Sequence, residues 1–221
     1  MLYSQISSVN FISNMAEQAV PMQTGASVPS PIVTTKRLII RPMCLQDAPS
    51  TSLHANDPLI AKYMRGTFPS PYTQSSAETW INTNLALPYQ HHFVICEISA
   101  PELAIGGIGL KLGSDVYAHA AEVGFWVGKT FWGKGYITEA LEAFTTWSFE
   151  SYENNGQRLS KLYAGVFSGN GASMRCFEKN GYVLEGVLRD NVYKNGEMKD
   201  EHMFGMRKAD WERRLREDVS K

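Results

Sequence analysis

Apolar residues along this chain fall into short runs that are separated by polar, glycine-rich and proline-rich stretches, a pattern typical of a mixed α/β protein. Seven runs predict strands: residues 38–40, 92–99, 103–111, 120–127, 161–167, 182–188 and 201–206. Three of these strands follow one another closely between residues 92 and 127, so we expect an antiparallel meander there. Two adjacent glycines, Gly106 and Gly107, interrupt the middle strand of the three and suggest a bulge.

Helical periodicity appears between these strands. It predicts helices in four places: within 46–64, over 75–87, after Gly135 and over 170–180. The helix after Gly135 places Ile137, Leu141 and Phe144 on one apolar face. The helix over 170–180 has Asn170 as its N-cap and Gly181 at its C-terminal end.

The distribution of charge divides the chain into three parts. Residues 1–33 carry one charge, Glu17, and form a low-charge N-terminal extension without the features of a secretory or mitochondrial leader. We expect the folded domain over 34–208, followed by a charged C-terminal tail over 209–221 that is either helical or frayed. A chain of 221 residues with 43% apolar residues suits one domain with tails.

The charge balance, the apolar runs and the histidine and cysteine content indicate which partners, metals and compartment to expect. Lys plus Arg (21) nearly balances Asp plus Glu (22), so we expect no nucleic-acid partner. No apolar run reaches the roughly 18 residues that a membrane span needs, so we expect no membrane partner either. The five histidines lack metal-binding spacing, and no metal is expected. Three cysteines in apolar surroundings (Cys44, Cys96 and Cys176) suit reduced thiols in the cytoplasm.

The segment between strand 120–127 and the following helix has the sequence features of an anion-binding site. Gly133-Lys134-Gly135 allows positive φ and close backbone approach, so the N–H groups of residues 133–137 converge at a helix N-terminus. The helix dipole and the unpaired donors favour an anion such as a diphosphate there. The glycines alone also fit a plain strand-to-helix turn. A NAD-type site does not fit, because the third glycine of that motif is missing.

Two motifs in this order resemble a known family. The first is Glu122-Val-Gly-Phe-Trp-Val127 with Phe131-Trp-Gly-Lys-Gly-Tyr-Ile-Thr-Glu-Ala-Leu141, and the second is Asn170-x-x-Ser173-x-x-Cys-Phe-Glu-Lys-Asn-Gly-Tyr182. Together with Arg37-Leu-x-x-Arg-Pro42 they resemble the GNAT superfamily of acetyl-CoA-dependent N-acetyltransferases. Within it they are similar to the RimJ/RimL branch, named for enzymes that acetylate the N-termini of ribosomal proteins.

The resemblance implies an α/β (α+β type) GNAT fold, with a mixed, strongly twisted sheet of six to seven strands and helices on both faces. It implies that backbone groups of Phe125, Trp126 and Val127 meet the two amides of the pantetheine arm of CoA. Residues 130–137 would then cradle the diphosphate. The cofactor-binding residues implied in that segment are Phe131, Trp132, Gly133, Lys134, Gly135 and Tyr136.

The second motif implies contacts near the thiol of CoA. Asn170 and Ser173 would reach the pantetheine or the thiol, although Asn170 serves equally well as a helix cap. Many relatives use a tyrosine of this helix to protonate the departing thiolate, but the matching residue here is Phe177. Ser173 is the nearest hydroxyl for that role. Arg175 and Lys179 are close enough in the motif to reach the phosphates.

The implied reaction is direct attack of a neutral amine on the acetyl thioester, with a strand N–H group stabilising the oxyanion. Glu122 is the favoured base, since it matches the strand position at which histone-type members of the superfamily keep a catalytic glutamate. Other bases remain open. They are Glu97, Asp190, His91 and His92.

The acceptor site is predicted from the proline-rich, aromatic segment 65–73, which forms a preshaped wall. Phe68, Tyr72 and Trp80 are the expected substrate-binding residues. The acceptor is a primary amine, either the α-amine of a protein or peptide or an amine of a small molecule. The competing function is a non-catalytic, CoA-binding regulatory module. We expect a monomer or a homodimer.

Overall fold

The structure is a computed structural model that describes residues 28–154 and 156–219; residues 1–27, most of the expected N-terminal extension, lie outside the described part. The described residues form ten strands. These are β1 (Val33–Thr34), β2 (Leu38–Pro42), β3 (His92–Glu97), β4 (Gly106–Leu112), β5 (Ala120–Val127), β6 (Glu153–Asn154), β7 (Gln157–Arg158), β8 (Lys161–Phe167), β9 (Val183–Lys194) and β10 (Glu197–Arg207).

Eight of these strands make one sheet, in the order β1-β2-β3-β4-β5-β8-β10-β9, while β6 and β7 pair separately. Every neighbouring pair in the large sheet is antiparallel except β5 and β8, which are parallel. The sheet is therefore mixed, as expected. It has eight strands rather than six or seven because the two-residue strand β1 adds to the edge of β2.

The parallel pair β5 and β8 determines where a ligand can enter. Their pairing begins at Ala120 opposite Lys161 and ends at Glu122 opposite Tyr163. Each strand then continues for several residues without further pairing to the other in the described chain. The sheet consequently splits along its middle, between the second half of β5 and the second half of β8.

Six helices cover the two faces of the sheet. They are α1 (Ala48–Ala55), α2 (Pro58–Ala61), α3 (Gln74–Leu85), α4 (Tyr136–Glu150), α5 (Gly171–Lys179) and α6 (Lys208–Val219). On one face, Val94 and Cys96 of the sheet pack with Ala77 and Ile81 of α3. The alternate residues of the same strands point to the other face.

The second face of the sheet is covered by α4. Ile95 and Val123 of the sheet pack there with Leu141 and Phe144, all almost fully buried. The prediction of helices on both faces is confirmed. Side chains of β5 therefore divide between the faces, with Val123 toward α4 and its neighbours Glu122 and Gly124 toward the face of α1 and α3.

The charged C-terminal segment is helical as α6 and is attached to the core. Trp211 is 8% exposed, and its ring centroid lies 5.6 Å from that of Phe149 in α4. Residues 220 and 221 lie outside the described part. Among the described residues, no helix is both long enough and apolar enough to cross a membrane.

The bulge expected at Gly106 and Gly107 is wrong, because β4 pairs with β5 without a shift in register. A Cβ atom on Gly107 would lie 2.7 Å from Nε1 of Trp126. Gly107 thus makes room for an indole that packs over β4. The register shifts in this sheet occur between β9 and β10 instead, at Lys199/Glu201 and at Met203/Phe204.

Candidate active site

A cleft of about 1730 Å³ lies where β5 and β8 separate. It is lined by the second half of β5, the segment between β5 and α4, the first turns of α5, and the loop that follows α2. Pockets for single small molecules hold about 300 to 1,000 Å³, so this cleft has room for two substrates. Most residues that the sequence predicted for the site line it.

The free edge of β5 presents backbone groups to this cleft. The N–H group of Gly128 donates to the carbonyl oxygen of Ile105. Gly106 and Val127, which lie opposite each other, are therefore a non-hydrogen-bonded pair of the antiparallel strands β4 and β5. Because ladder bonding alternates along an antiparallel pair, the N–H and C=O groups of Phe125 and Val127 point away from β4 and into the split.

Trp126 differs from its two neighbours. It lies opposite Gly107 at a position where ladder bonds are exchanged, so its backbone faces β4 and its side chain reaches the cleft. The carbonyl oxygen of Val127 accepts a hydrogen bond from Nε1 of Trp132 at 2.9 Å. Of the three residues predicted to offer backbone groups, Phe125 is the one whose N–H and C=O both remain available in the split.

The segment between β5 and α4 is a glycine turn at the start of a helix. Gly133 and Gly135 both have φ of 75°, a left-handed conformation that L residues adopt at a cost. Gly135 is the N-cap of α4, a helix of 15 residues. Within the described chain, no oxygen atom accepts from the N–H groups of residues 133–138. Several unclaimed donors thus converge at the positive end of a long helix, which suits a phosphate group.

Arg37 braces this turn from the neighbouring strand segment, a role that the sequence did not reveal. Its Nη1 donates to the carbonyl of Lys134 at 2.9 Å, and its Nε donates to Glu139 Oε2 at 2.6 Å. Burial alone would raise the pKa of Glu139, but hydrogen bonds from Thr35 and Arg37 outweigh it and hold that pKa below its usual value. Although Arg37 belongs to a recognised motif, its partner is 102 residues away and could not be assigned.

Aromatic rings flank the turn. Phe131 stacks on Tyr136 with centroids 6.3 Å apart, and Nζ of Lys134 lies 4.9 Å from the Phe131 centroid. The hydroxyl of Tyr136 donates to Glu97. Glu97 is therefore engaged at the outer end of the turn and does not line the cleft, which argues against Glu97 as the base.

Helix α5 forms the opposite side of the cleft. Asn170 caps it, since Oδ1 accepts from Ser173 N–H at 3.2 Å, which leaves the amide group of Asn170 for another partner. The side chain of Ser173 is half-buried and lines the cleft, as do Arg175 and Lys179. Phe177 is almost fully buried against Phe125, with centroids 5.3 Å apart.

On the face of α1 and α3, Glu122 points into the cleft. Its Oε1 accepts from Nη2 of Arg65 at 2.6 Å, a partner that the sequence did not indicate. Burial, together with the negative charge of Glu122, raises the pKa of the adjacent Tyr163. Lys111 on β4 lies directly opposite Glu122. The predicted base is thus in the cleft, but paired with a cation.

A second carboxylate, also missed from the sequence, lies nearby. Glu201 on β10 places its carboxylate over Gly165 of β8, where a side chain on Gly165 would overlap it. Oε2 of Glu201 accepts from Nδ2 of Asn191 at 2.6 Å. Glu201 and Asn191 both line the cleft. No local motif marks them, because the three residues come from three different strands.

The three side chains predicted for the acceptor wall line the cleft and differ in exposure. Phe68 packs on Tyr72 with centroids 4.8 Å apart, but Tyr72 is 5% exposed and belongs mainly to the core. Trp80 is 43% exposed and lies 4.9 Å from the ring of His92. The hydroxyl of Tyr63 donates to Gly169 O at 3.0 Å, which ties this wall to the loop before α5.

The remaining alternative bases fit less well. Burial, and to a smaller extent the charge of His91, lowers the pKa of His92 to about 4, so His92 is a weak base at neutral pH. His91 contacts the hydroxyl of Tyr152 at 2.7 Å and does not line the cleft. Asp190 lies on β9 outside the cleft lining. In the described chain, no cluster of three or more His, Cys, Asp or Glu could hold a metal ion.

Residues 37–183 match the family model described as an acetyltransferase (GNAT) domain. The match covers more than half of the chain, so this protein belongs to the GNAT family of acetyltransferases. Among curated proteins, it is 28% identical over 177 residues to an uncharacterised N-acetyltransferase, p20, of Bacillus licheniformis; the alignment covers 80% of this chain and 96% of p20.

Solved structures show the same fold. The ribosomal-protein-S5-alanine acetyltransferase from Vibrio fischeri has a TM-score of 0.67 at 20% identity, covering 81% of this chain and 97% of that one. RimL, a ribosomal L7/L12 α-N-protein acetyltransferase solved in complex with CoA, has a TM-score of 0.67 at 18% identity, covering 80% and 98%. The GNAT fold and the acetyltransferase family predicted from the two sequence motifs are confirmed.

Proposed function

We propose that this protein transfers an acetyl group from acetyl-CoA to a primary amine by direct attack within a ternary complex. The observation that carries the proposal is the split between β5 and β8. It brings the turn at Gly133-Lys134-Gly135, the free edge of β5 and the carboxylate of Glu122 into one cleft. The amine is the N-terminal α-amine of a protein or peptide, or an amine of a small molecule.

The cleft suits acetyl-CoA by its own features. The unclaimed N–H groups of residues 133–138 would bind the diphosphate. The backbone groups of Phe125 would meet the pantetheine amides, with the amide of Asn170 on the opposite side. Arg175 and Lys179 add positive charge along the same path. The three free cysteines suit a reducing compartment, and we propose the cytoplasm.

Bound acetyl-CoA supplies the thioester carbonyl that a neutral amine attacks, and the C–S bond breaks as the amide forms. Glu122 takes one proton from the acceptor ammonium, directly or through one water, and makes the nitrogen nucleophilic. The nitrogen gives up a second proton as the amide forms; this proton passes to the departing sulfur, directly or through water, so that CoA leaves as a thiol, and the proton on Glu122 returns to solvent. Ser173 donates a hydrogen bond to the departing sulfur, since Phe177 has no hydroxyl to offer.

The α-amine is the better fit of the two acceptor types. Its pKa of about 8 leaves a far larger neutral fraction at pH 7 than the value of about 10.4 for a lysine-type amine. The likeness to structures of ribosomal-protein acetyltransferases supports the same choice. The wall of Phe68 and Trp80 offers apolar surface to residues that follow the amine.

An amine panel tests the proposal. Peptides with Ser, Ala or Thr at the N-terminus, polyamines and aminoglycosides are each incubated with acetyl-CoA, and thiol release and the mass of the amine are measured. We expect thiol release with an acetylated peptide N-terminus. CoA binding without turnover on any amine would instead support the non-catalytic, CoA-binding module.

Replacing Ser173 by alanine tests the assistance to the leaving thiolate. We expect kcat to fall by about three- to tenfold, because one hydrogen bond with a net worth of about 0.5 to 1.5 kcal/mol is lost while the thiolate remains a tolerable leaving group. The Kd for acetyl-CoA should change little. Steady-state kinetics with isothermal titration of acetyl-CoA measures both quantities. A loss of folding or of acetyl-CoA binding would assign Ser173 to structure alone.

Replacing Trp80 by alanine tests the acceptor wall without disturbing the core. Trp80 is 43% exposed, so we expect the acceptor KM to rise by about fivefold, equivalent to roughly 1 kcal/mol, with an unchanged KM for acetyl-CoA. Tyr117→Ala is the matched control, because Tyr117 is 69% exposed and does not line the cleft. Equal effects of Trp80→Ala on both KM values would mean that this wall supports the fold and does not bind the acceptor.

A further inference from the structure

The carboxylate of Glu122 is already occupied. Nη2 of Arg65 lies 2.6 Å from Oε1, and the side chain of Glu122 is 15% exposed. The guanidinium of Arg65 therefore takes the position that an acceptor ammonium would need beside this carboxylate. Under the proposed function, turnover therefore requires Arg65 to move away from Glu122.

Arg65 is suited to such a movement. It lies on the loop after α2, and its side chain is 55% exposed even while paired. Ion pairs of this exposure contribute little net stability, so one cation can replace another at low cost. The floor beside Glu122 is open, because a Cβ atom on Gly124 would meet no atom within 4 Å. An acceptor chain can approach over Gly124.

A second carboxylate is available to receive Arg65. Glu201 lies on β10, two strands away from the strand of Glu122 in the sheet, and its carboxylate extends over Gly165 of β8. This carboxylate is held by the amide of Asn191 rather than by a cation. The charges of Glu122 and Glu201 both act on Arg65, and together with its hydrogen bond to Glu122 they outweigh the effect of burial and raise its pKa. The other charged or titratable groups beside Glu122 are Lys111 on β4 and Tyr163 on β8.

We propose that Arg65 is an exchangeable counter-ion of Glu122, which the acceptor ammonium displaces and which Glu201 then receives. This proposal rests on the proposed function. Before the exchange, the carboxylate of Glu122 faces Arg65 instead of an acceptor amine. After it, the ammonium nitrogen lies against Glu122, one proton passes from nitrogen to the carboxylate, and a neutral amine remains beside the split. Arg65 and Glu201 act here as positioning residues.

Three variants test the exchange: Arg65→Gln, Glu201→Gln and the double variant. Removing Arg65 should lower the acceptor KM by about two- to fivefold, the range of one exposed ion pair. Glu201→Gln should raise the acceptor KM, since Arg65 then stays on Glu122.

The double variant distinguishes the exchange of Arg65 between two carboxylates from independent effects of the two substitutions. Without Arg65 there is nothing for Glu201 to receive, so Glu201→Gln should leave the acceptor KM of the Arg65→Gln protein unchanged. Arg158→Gln is the matched control, because Arg158 is 52% exposed, pairs with Glu153 and lies outside the cleft lining. An acceptor KM that rises in Arg65→Gln, or additive effects in the double variant, would overturn the proposal.

A binding measurement keeps this test apart from the test of the acetyltransferase reaction. The carboxyl carbon of Glu122 is observed by 13C NMR, with Glu122→Gln for assignment, while ethylammonium is added. We expect tighter ethylammonium binding at Glu122 in Arg65→Gln and weaker binding in Glu201→Gln. An unchanged affinity in both variants contradicts the exchange even when amines are acetylated. Failure to acetylate any amine contradicts the proposed function and leaves the NMR comparison to decide on Arg65.

Discussion

Replacing Glu122 by glutamine is expected to lower kcat by about 10² to 10⁴, the usual contribution of a positioned general base. The Kd for acetyl-CoA should not change, because Glu122 points to the face of α1 and α3, whereas the turn at Gly133 and Gly135 begins α4 on the other face. Higher pH should restore part of the rate, since a larger neutral fraction of the amine replaces the missing base. With an α-amine of pKa about 8 the recovery should level off near pH 9, whereas with a lysine-type amine of about 10.4 it should continue to rise.

A matched control distinguishes loss of the base from loss of an ion pair. Glu185 is also a strand glutamate and accepts from Nζ of Lys161 at 2.7 Å, but it does not line the cleft. Glu185→Gln should therefore keep kcat. If Glu122→Gln also keeps kcat at neutral pH, Glu122 is not the base, and the amine reaches the thioester already neutral.

Replacing Gly135 by valine should weaken CoA binding by about ten- to a hundredfold. One charge-assisted hydrogen bond of the N–H groups at the start of α4 is lost, worth about 1.5 to 3 kcal/mol. Two effects combine, because φ of 75° disfavours a β-branched residue and the new side chain stands at the N-terminus of α4. Titration of CoA by calorimetry measures the change.

Backbone strain alone needs its own control. Gly156 has φ of 77°, a Cβ atom at this position would meet no atom within 4 Å, and the residue does not line the cleft. Gly156→Val should lower the Tm by a similar amount as Gly135→Val and leave the Kd for CoA unchanged. A folded Gly135→Val protein with the original affinity for CoA would mean that the diphosphate is bound elsewhere.

The sequence predicted those features that depend on near neighbours. The turn at Gly133 and Gly135, the cap at Asn170 and the helix after Gly135 are local, so spacing and residue type were sufficient. The resemblance to the GNAT family added the fold and the location of Glu122 and Ser173 in one cleft.

Features that depend on distant contacts were missed. The partner of Glu122 is 57 residues away on a loop, so its pairing with Arg65 could not be anticipated. Glu201 reaches the cleft because Gly165 on another strand lacks a side chain. The bulge predicted at Gly107 was wrong because this glycine has a tertiary role: its missing side chain leaves room for the indole of Trp126. In each case a residue type was visible but its tertiary partner was not.

The alternation of side chains along β5 has a consequence for steady-state kinetics. Glu122 and Gly124 face α1 and α3, whereas Phe125 packs beneath α5 on the side where the turn at Gly133 and Gly135 begins α4. The acceptor and CoA would then enter and leave by separate openings on opposite sides of the sheet. Double-reciprocal plots should therefore intersect rather than run parallel, and the acetylated product should be free to depart while CoA is still bound.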